Sequence, residues 1–312
     1  MIRNLRVLRD LRSERYLSFA QLIAWRTPAR AKPRKLATDP YHEFRQAADR
    51  PEEQIDLGRA ALAIALPEYP TLDFSAYLGR IRDLALEVAE RAGVDADAFR
   101  TIAALNFVLF ARHGFRGNRD DYYDPKNSFL NQVIERKTGI PITLSVLYIE
   151  VAARLELTVD GVGFPGHFMV KAQADGNEIV IDPFNSGDIK TEEDLAAMLQ
   201  QMYGGKLGFR REFLARVSKK QILTRMLTNL KMIYAKANDM VKTLGTLDRL
   251  LILDPASAED TRDRGVTYSR LECYGQAKDD FERYLQLAPD ADDAAAIREQ
   301  LVELAKRVVM IH

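Results

Sequence analysis

Apolar residues recur three and four positions apart across residues 41–114, in DLGRAALAIALPEYP, YLGRIRDLALEVAERAG and AFRTIAALNFVLFARHG. That period marks helices with one buried face. Gly93 and Gly114 stand where such helices end in a left-handed cap. Residues 115–126 (FRGNRDDYYDPK) are rich in turn formers and read as a loop. Asn127 or Ser128 can then cap a helix through FLNQVIERKTG, closed at Gly139. Pro141 opens the next helix, ITLSVLYIEVAARLEL, at a position where its missing N–H costs little. Leu144, Leu147, Tyr148, Val151 and Leu155 share one face of it. The period then changes. TVDGVGF, HFMVKAQ and NEIVIDPF are β-rich, and Asp175-Gly176 between the last two is a hairpin signal. This order predicts an α+β fold, a helical N-terminal half packed on a small antiparallel sheet.

From Ser218 onward the helical pattern returns and repeats. Pro255 and Pro289 are 34 residues apart. Gly265, Tyr268, Ala277, Phe281 and Pro289 occupy the G, Y, A, F and P places of the tetratricopeptide (TPR) pattern. One unit earlier the same places hold Lys231, Tyr234, Thr243, Leu247 and Pro255, a degenerate copy. Two units, about 224–257 and 258–291, bury little surface alone. The helix AAAIREQLVELAKRVV is expected to cap their end, and their start to pack on the preceding domain. An unrelated bundle of helical hairpins is the alternative. The expected organisation is a basic extension and linker over 1–40, an α+β domain over 41–215, and an all-α TPR-like domain over 218–312.

Apolar content of 47% and charged content of 29% suit a water-soluble globular chain. The formal net charge of zero gives no global argument for nucleic acid or membrane binding. A single cysteine excludes an internal disulfide and a cysteine zinc site. His42, His113, His167 and His312 show no metal-ligand spacing, so no metal or cofactor is expected. The balanced charge hides an asymmetry: residues 1–35 hold ten Lys/Arg against two Asp/Glu. Leu5, Leu8, Leu11 and Tyr16 fall near helical spacing among those arginines. A transit peptide, a membrane-surface helix and a loosely attached basic helix all fit that pattern. Residues 26–40 read as a linker. No run approaches the roughly 20 apolar residues of a membrane span. No secretory segment is seen, so a cytoplasmic location is expected.

The chemistry concentrates in FPGHFMVKAQADGNEIVIDPF, residues 164–184. A turn centred on Asp175-Gly176 sets residue 169 opposite residue 182. His167 then lies diagonal to Asp182, within reach of a hydrogen bond. An aspartate bonded to Nδ1 would fix the imidazole tautomer and raise its basicity. Such pairs serve a thiolate in cysteine-type acyl transferases. Here Cys273 is 91 residues beyond Asp182, inside the second repeat. A histidine and an aspartate at strand ends can equally serve only to satisfy loop backbone groups.

The run DPKNSFLNQVIERKTGIPITLSVLYIEVAARLEL, with GVGFPGHFMVKA and IDPF after it, resembles the transglutaminase-like, TPR-containing proteins of the SirB type. The resemblance covers roughly residues 40–290. It implies a transglutaminase-like, papain-like core whose superfamily uses a cysteine at a helix start, then a histidine and an aspartate on successive strands. His167 and Asp182 match the latter two. The nucleophile position falls near Pro141 or Ile142, counted back from Leu155-Glu156-Leu157, which replaces the usual Leu-Gly-Ile. Neither residue can attack a carbonyl.

Three readings follow. In the first, the chain is a non-catalytic interaction or regulatory module, a pseudoenzyme whose TPR-like groove takes a protein or peptide. In the second, it is a hydrolase or acyl transferase that uses His167-Asp182 with Thr143, Ser145 or water as nucleophile. In the third, it is a scaffold whose His and Asp only hold the hairpin. Asn127, Ser128, Asn131, Pro141 and Ile142 are candidate pocket-lining residues. Asn131 can also be a buried amide tying the loop to the Pro141 turn, and the DDYYD loop (120–124) a solvated turn or a rim for a peptide.

Overall fold

The computed structural model describes residues 39–311 apart from Asp175. The expectations for the basic extension therefore lie outside the described residues.

A run of helices opens the described chain: α1 (His42–Ala48), α2 (Leu57–Ala63), α3 (Phe74–Ala92) and α4 (Ala98–Asn106). Asp56, Asp73 and Asp97 each accept a backbone N–H at a helix start. On α3, Ile81, Leu84, Ala85, Val88 and Ala92 are buried at the spacing of one helical face. Gly93, at φ 86°, ends it. Helix α4 runs on into wide turns through Arg112, where His113 N–H reaches back to Val108 O.

A two-residue strand, β1 (Arg116–Gly117), pairs in parallel with β2 (Thr138–Gly139). Between them lies α5 (Leu130–Arg136). Its start differs from expectation. Phe129 is the residue before the helix, and no side chain caps it. Asn127 and Ser128 instead belong to a tight turn over Pro125–Ser128 that Asp124 caps. The end differs as well. Lys137, at φ 55°, stops α5, because Gly139 is already committed to pairing with β1.

Helix α6 (Pro141–Ala153) is the central element. Every side chain from Pro141 to Tyr148 is buried, so it has no polar face. It packs against α2, α3 and α5, and on its other side against β3 (Val159–Val162) and β4 (Met169–Ala174). With β5 (Asn177–Asp182), β6 (Asp188–Lys190) and β7 (Arg216–Val217) these make an antiparallel sheet in the order β6-β5-β4-β3-β7. Val170 pairs with Ile181 and Ala174 with Asn177, which is the register implied by the Asp175-Gly176 turn. Helix α7 (Glu192–Tyr203) supplies Leu195 and Leu199 to a core with Val162, Met169 and Val180. A helical half beside an antiparallel sheet is the α+β arrangement.

The remainder is helical: α8 (Lys219–Lys236), α9 (Met240–Leu253), α10 (Ala258–Arg270), α11 (Tyr274–Leu287) and α12 (Ala294–Ile311). They pair as α8/α9 and α10/α11, with α12 on α11. The repeat residues explain the close pairing. A Cβ on Gly265 would stand 2.7 Å from the Phe281 ring, and Ala277 and Phe281 are fully buried. Tyr234 is buried in α8 and Tyr268 half-buried in α10. The degenerate first unit leans on the α+β part. Arg249 Nη1 donates to Ile64 O at 2.7 Å, Lys219 Nζ to Ile55 O at 2.8 Å, and Glu68 pairs with Lys242 at 2.9 Å. No described helix is long and apolar enough to cross a membrane.

Candidate functional site

Strand β5 delivers Asp182 to the sheet's end, and Pro183 turns the chain at once into a short helical turn through Asn185. Asp182 is fully buried and saturated with donors. Its Oδ1 accepts the N–H groups of Phe184 (3.1 Å) and Asn185 (3.3 Å). Its Oδ2 accepts Asn185 Nδ2 (2.6 Å) and meets His167 Nε2 (2.9 Å). Burial alone would push this carboxyl up. The hydrogen bonds and the facing imidazole outweigh burial and hold it below the usual carboxylate range.

His167 is placed by the turn before β4. Gly166 adopts φ 71°, and His167 N–H closes the turn onto Phe164 O at 2.9 Å. The Phe184 ring stands edge-on to the imidazole, with centroids 5.9 Å apart. Phe184 in turn fills the space left by Gly117, where a Cβ would come within 2.5 Å of its ring. The loop after Asp182 is fixed by a relay from α6: Tyr148 Oη donates to Asn106, and Asn106 Nδ2 donates to Gly187 O. In one respect the geometry departs from expectation. Asp182 holds Nε2, not Nδ1, so Nδ1 is the nitrogen left for a ligand.

The imidazole opens on a small cleft of about 20 Å³ walled by Tyr122, Pro141, Ile142, His167, Phe168, Arg225 and Asn229. That volume admits about one water-sized group. Pro141 and Ile142 thus stand beside the histidine. The other candidates do not reach the cleft. Thr143 is fully buried, with its hydroxyl donating to Asn127 O (2.7 Å) and accepting Ile140 N–H (3.1 Å). It closes the first turn of α6 and is no free nucleophile. Ser145 is fully buried among the helix's packing contacts, with its Oγ unpartnered. The reason is geometric: α6 has no solvent-facing stripe on which a hydroxyl could be presented. Ser128 Oγ and Asn131 Oδ1 are likewise buried without partners, and Asn131 shows no bond to the Pro141 turn. Asn127 works indirectly. It accepts Asn118 Nδ2 and donates to the carbonyls of Asp121 and Tyr122, pinning the loop that carries Tyr122.

Arg225 and Asn229 were missed by reasoning on the sequence. Arg225 and Asn229 lie one helical turn apart on α8, inside what reads as the first repeat, so nothing in the sequence ties them to His167. Arg225 Nη2 donates to His167 O at 3.0 Å, and its guanidinium lies 5.6 Å from the Phe168 ring centre. Of the Asp120–Asp124 loop, Tyr122 lines the cleft. Tyr122 meets Phe184 edge-on, and Tyr123 is exposed beside Lys236. Among the described residues, no group of three or more His, Cys, Asp and Glu could hold a metal.

Comparison with known proteins gives the same two parts. A model of the transglutaminase-like superfamily matches residues 75–228, and a tetratricopeptide repeat model matches residues 230–302. A UPF0162 protein of Xylella fastidiosa (strain 9a5c) is 38% identical over 264 residues, which is 84% of this chain and 94% of the relative. A UPF0162 protein of Pseudomonas aeruginosa is 28% identical, over 81% of this chain and 93% of its own. The UPF0162 protein YchA of Escherichia coli K12 is 26% identical, over 78% and 90%. No solved structure gives a significant match.

Proposed function

The chain belongs to the UPF0162 family, with transglutaminase-like and TPR parts, and on that footing we propose that it is a non-catalytic protein-interaction module. The carrying observation is the wall beside His167. A thiol enzyme needs its nucleophile there, and this chain has Pro141 and Ile142. The Thr143 hydroxyl is taken up by hydrogen bonds and the Ser145 hydroxyl is fully buried, and neither residue lines the cleft. His167 and Asp182 then serve a binding cleft, and the repeats provide the larger surface for a protein partner. The proposal keeps the division near residues 215–218, with α8 shared: it walls the cleft and begins the repeats.

The test is turnover by the full chain on a panel of glutamine-peptide, amide and aryl ester probes. No turnover above buffer is expected. Turnover that disappears in His167→Ala, with melting unchanged, would overturn the proposal in favour of a water-using hydrolase. For the repeats, hydrogen exchange of the partner-bound chain should show protection concentrated in residues 219–287. Protection confined to residues 43–215 would refute that half.

A further inference from the structure

Most cations half-buried in the helical region have acid partners. Arg264 pairs with Asp280 at 2.7 Å and with Asp248 at 3.0 Å. Lys231 pairs with Asp260 at 2.8 Å and with Asp263 at 3.0 Å. Arg225 has none. Its guanidinium carries five N–H donors, and among the described residues it makes one hydrogen bond, to His167 O. No described carboxylate pairs with it, so burial lowers its pKa, whereas in Arg264 and Lys231 the aspartates outweigh burial and raise it. The two other polar side chains that α8 and the Tyr122 loop bring to the cleft are in the same condition. Neither the Asn229 amide nor the Tyr122 hydroxyl has a hydrogen-bond partner among the described residues, although both line the space that Arg225 lines. Tyr122 stays a protonated donor, since its pKa is raised by burial.

We propose that this cleft binds the C-terminal carboxylate of a partner peptide, with Arg225 as its counter-ion and Asn229 and Tyr122 as neutral donors. This rests on the interaction reading above and names the ligand class for its cleft. Three features choose the ligand. A single uncompensated guanidinium beside neutral donors balances one negative charge, and its planar fork matches the two oxygens of a carboxylate. A phosphate dianion would want further cations in the cleft, and the lining contains none. The cleft's 20 Å³ holds about one water-sized group, so a ligand can seat no more than a terminal oxygen in it, with the rest at its mouth, and no chain can pass through. The residues before that end would lie on the exposed rings of Tyr122 and Tyr123 and on Met202 and Tyr203, which flank Gly166 beside His167.

The experiment titrates the full-length protein with N-acetyl-trialanine as free acid, with its C-terminal carboxamide, and with N-acetyl-Ala-Glu-Ala carboxamide. Side-chain NMR signals of Arg225 Nε and Asn229 Nδ2 are followed. The free acid should shift both signals, and amidation should weaken binding by about 10-fold or more, the scale of one charge-assisted contact. Arg225→Gln keeps a donor for His167 O, so it should hold its melting temperature while binding the free acid about 10-fold more weakly. Equal binding of acid and carboxamide overturns the proposal, as does no shift with the free acid at about 10 mM, a concentration above the weak-binding range. An internal glutamate that binds as tightly as the chain end refutes the end-on assignment. Acid and amide are compared on the wild-type chain, so the result stands even if the variant is unstable. Failure here leaves the turnover and exchange tests of the broader reading untouched, and turnover would remove that reading without moving these shifts.

Discussion

Removing the Asp182 carboxylate tests the site's construction most directly. Asp182→Asn keeps the shape but replaces one acceptor oxygen by a donor. The remaining oxygen can still take the Phe184 and Asn185 N–H groups, 3.1 and 3.3 Å away in the native chain. The new NH₂ then faces two donors, Asn185 Nδ2 and His167 Nε2. It can be accommodated only if the imidazole moves its proton to Nδ1 and Asn185 loses its bond. One lost charge-assisted bond and one strained contact predict a loss of about 2 kcal/mol. Asp182→Ala leaves all four donors unanswered and should cost about 3–5 kcal/mol, the scale for breaking a buried pair. That is a large share of a stability on the order of 5–15 kcal/mol. Urea unfolding at neutral pH measures both.

The pH dependence carries a sign. The folded pKa of Asp182 lies below the unfolded value, which is about 3.9. Its contribution is therefore fully present above about pH 4 and is lost as pH falls through the depressed folded value. Asp182→Asn should flatten that acid limb, and its imidazole ¹⁵N shifts should report the exchanged tautomer. Unchanged stability, acid limb and tautomer in Asp182→Asn would show that the carboxylate neither holds the histidine nor supports the turn.

Two further substitutions probe the repeats and the wall. Gly265→Ala gains about 1 kcal/mol of helix propensity but pushes a Cβ to 2.7 Å from a fully buried Phe281 ring; overpacking of that kind costs about 1–3 kcal/mol, so urea unfolding should show a net loss of about 1 kcal/mol, and a net gain would mean the ring can yield. Ile142→Cys puts a thiol on the cleft wall beside His167, and iodoacetamide should label it more slowly than the half-buried Cys273, because position 142 is 1% exposed; faster labelling would show that the cleft opens to reagents.

What the sequence disclosed follows from how local each signal is. The hairpin register, the TPR spacing and the Pro141 helix start each depend on residues close in the chain, and each appears in the structure as read. The caps went wrong where a longer-range contact competed. Gly139 looks like a helix terminator until β1 claims it as a strand partner. Asn127 looks like a cap until its amide is seen holding the Asp121 and Tyr122 carbonyls. The burial of the hydroxyls is hidden for a related reason. Thr143 and Ser145 are near the histidine in sequence logic, but every side chain of α6 from Pro141 to Tyr148 is buried.

The largest omission was Arg225, and its cause is physical. A guanidinium inside a degenerate repeat unit looks like surface charge, because the sequence cannot show that α8 turns that residue toward the α+β part. The backbone bond from Arg225 to His167 O joins the two halves at the cleft itself. Helix α8 is also the element whose lower end Lys219 fastens to Ile55 and whose Tyr234 hydroxyl reaches Glu68 at 3.3 Å. A partner that shifts α8 through the repeats would therefore move one wall of the cleft, and a ligand held by Arg225 would resist that shift. If both proposals hold, binding at the two places would be coupled with equal strength in both directions.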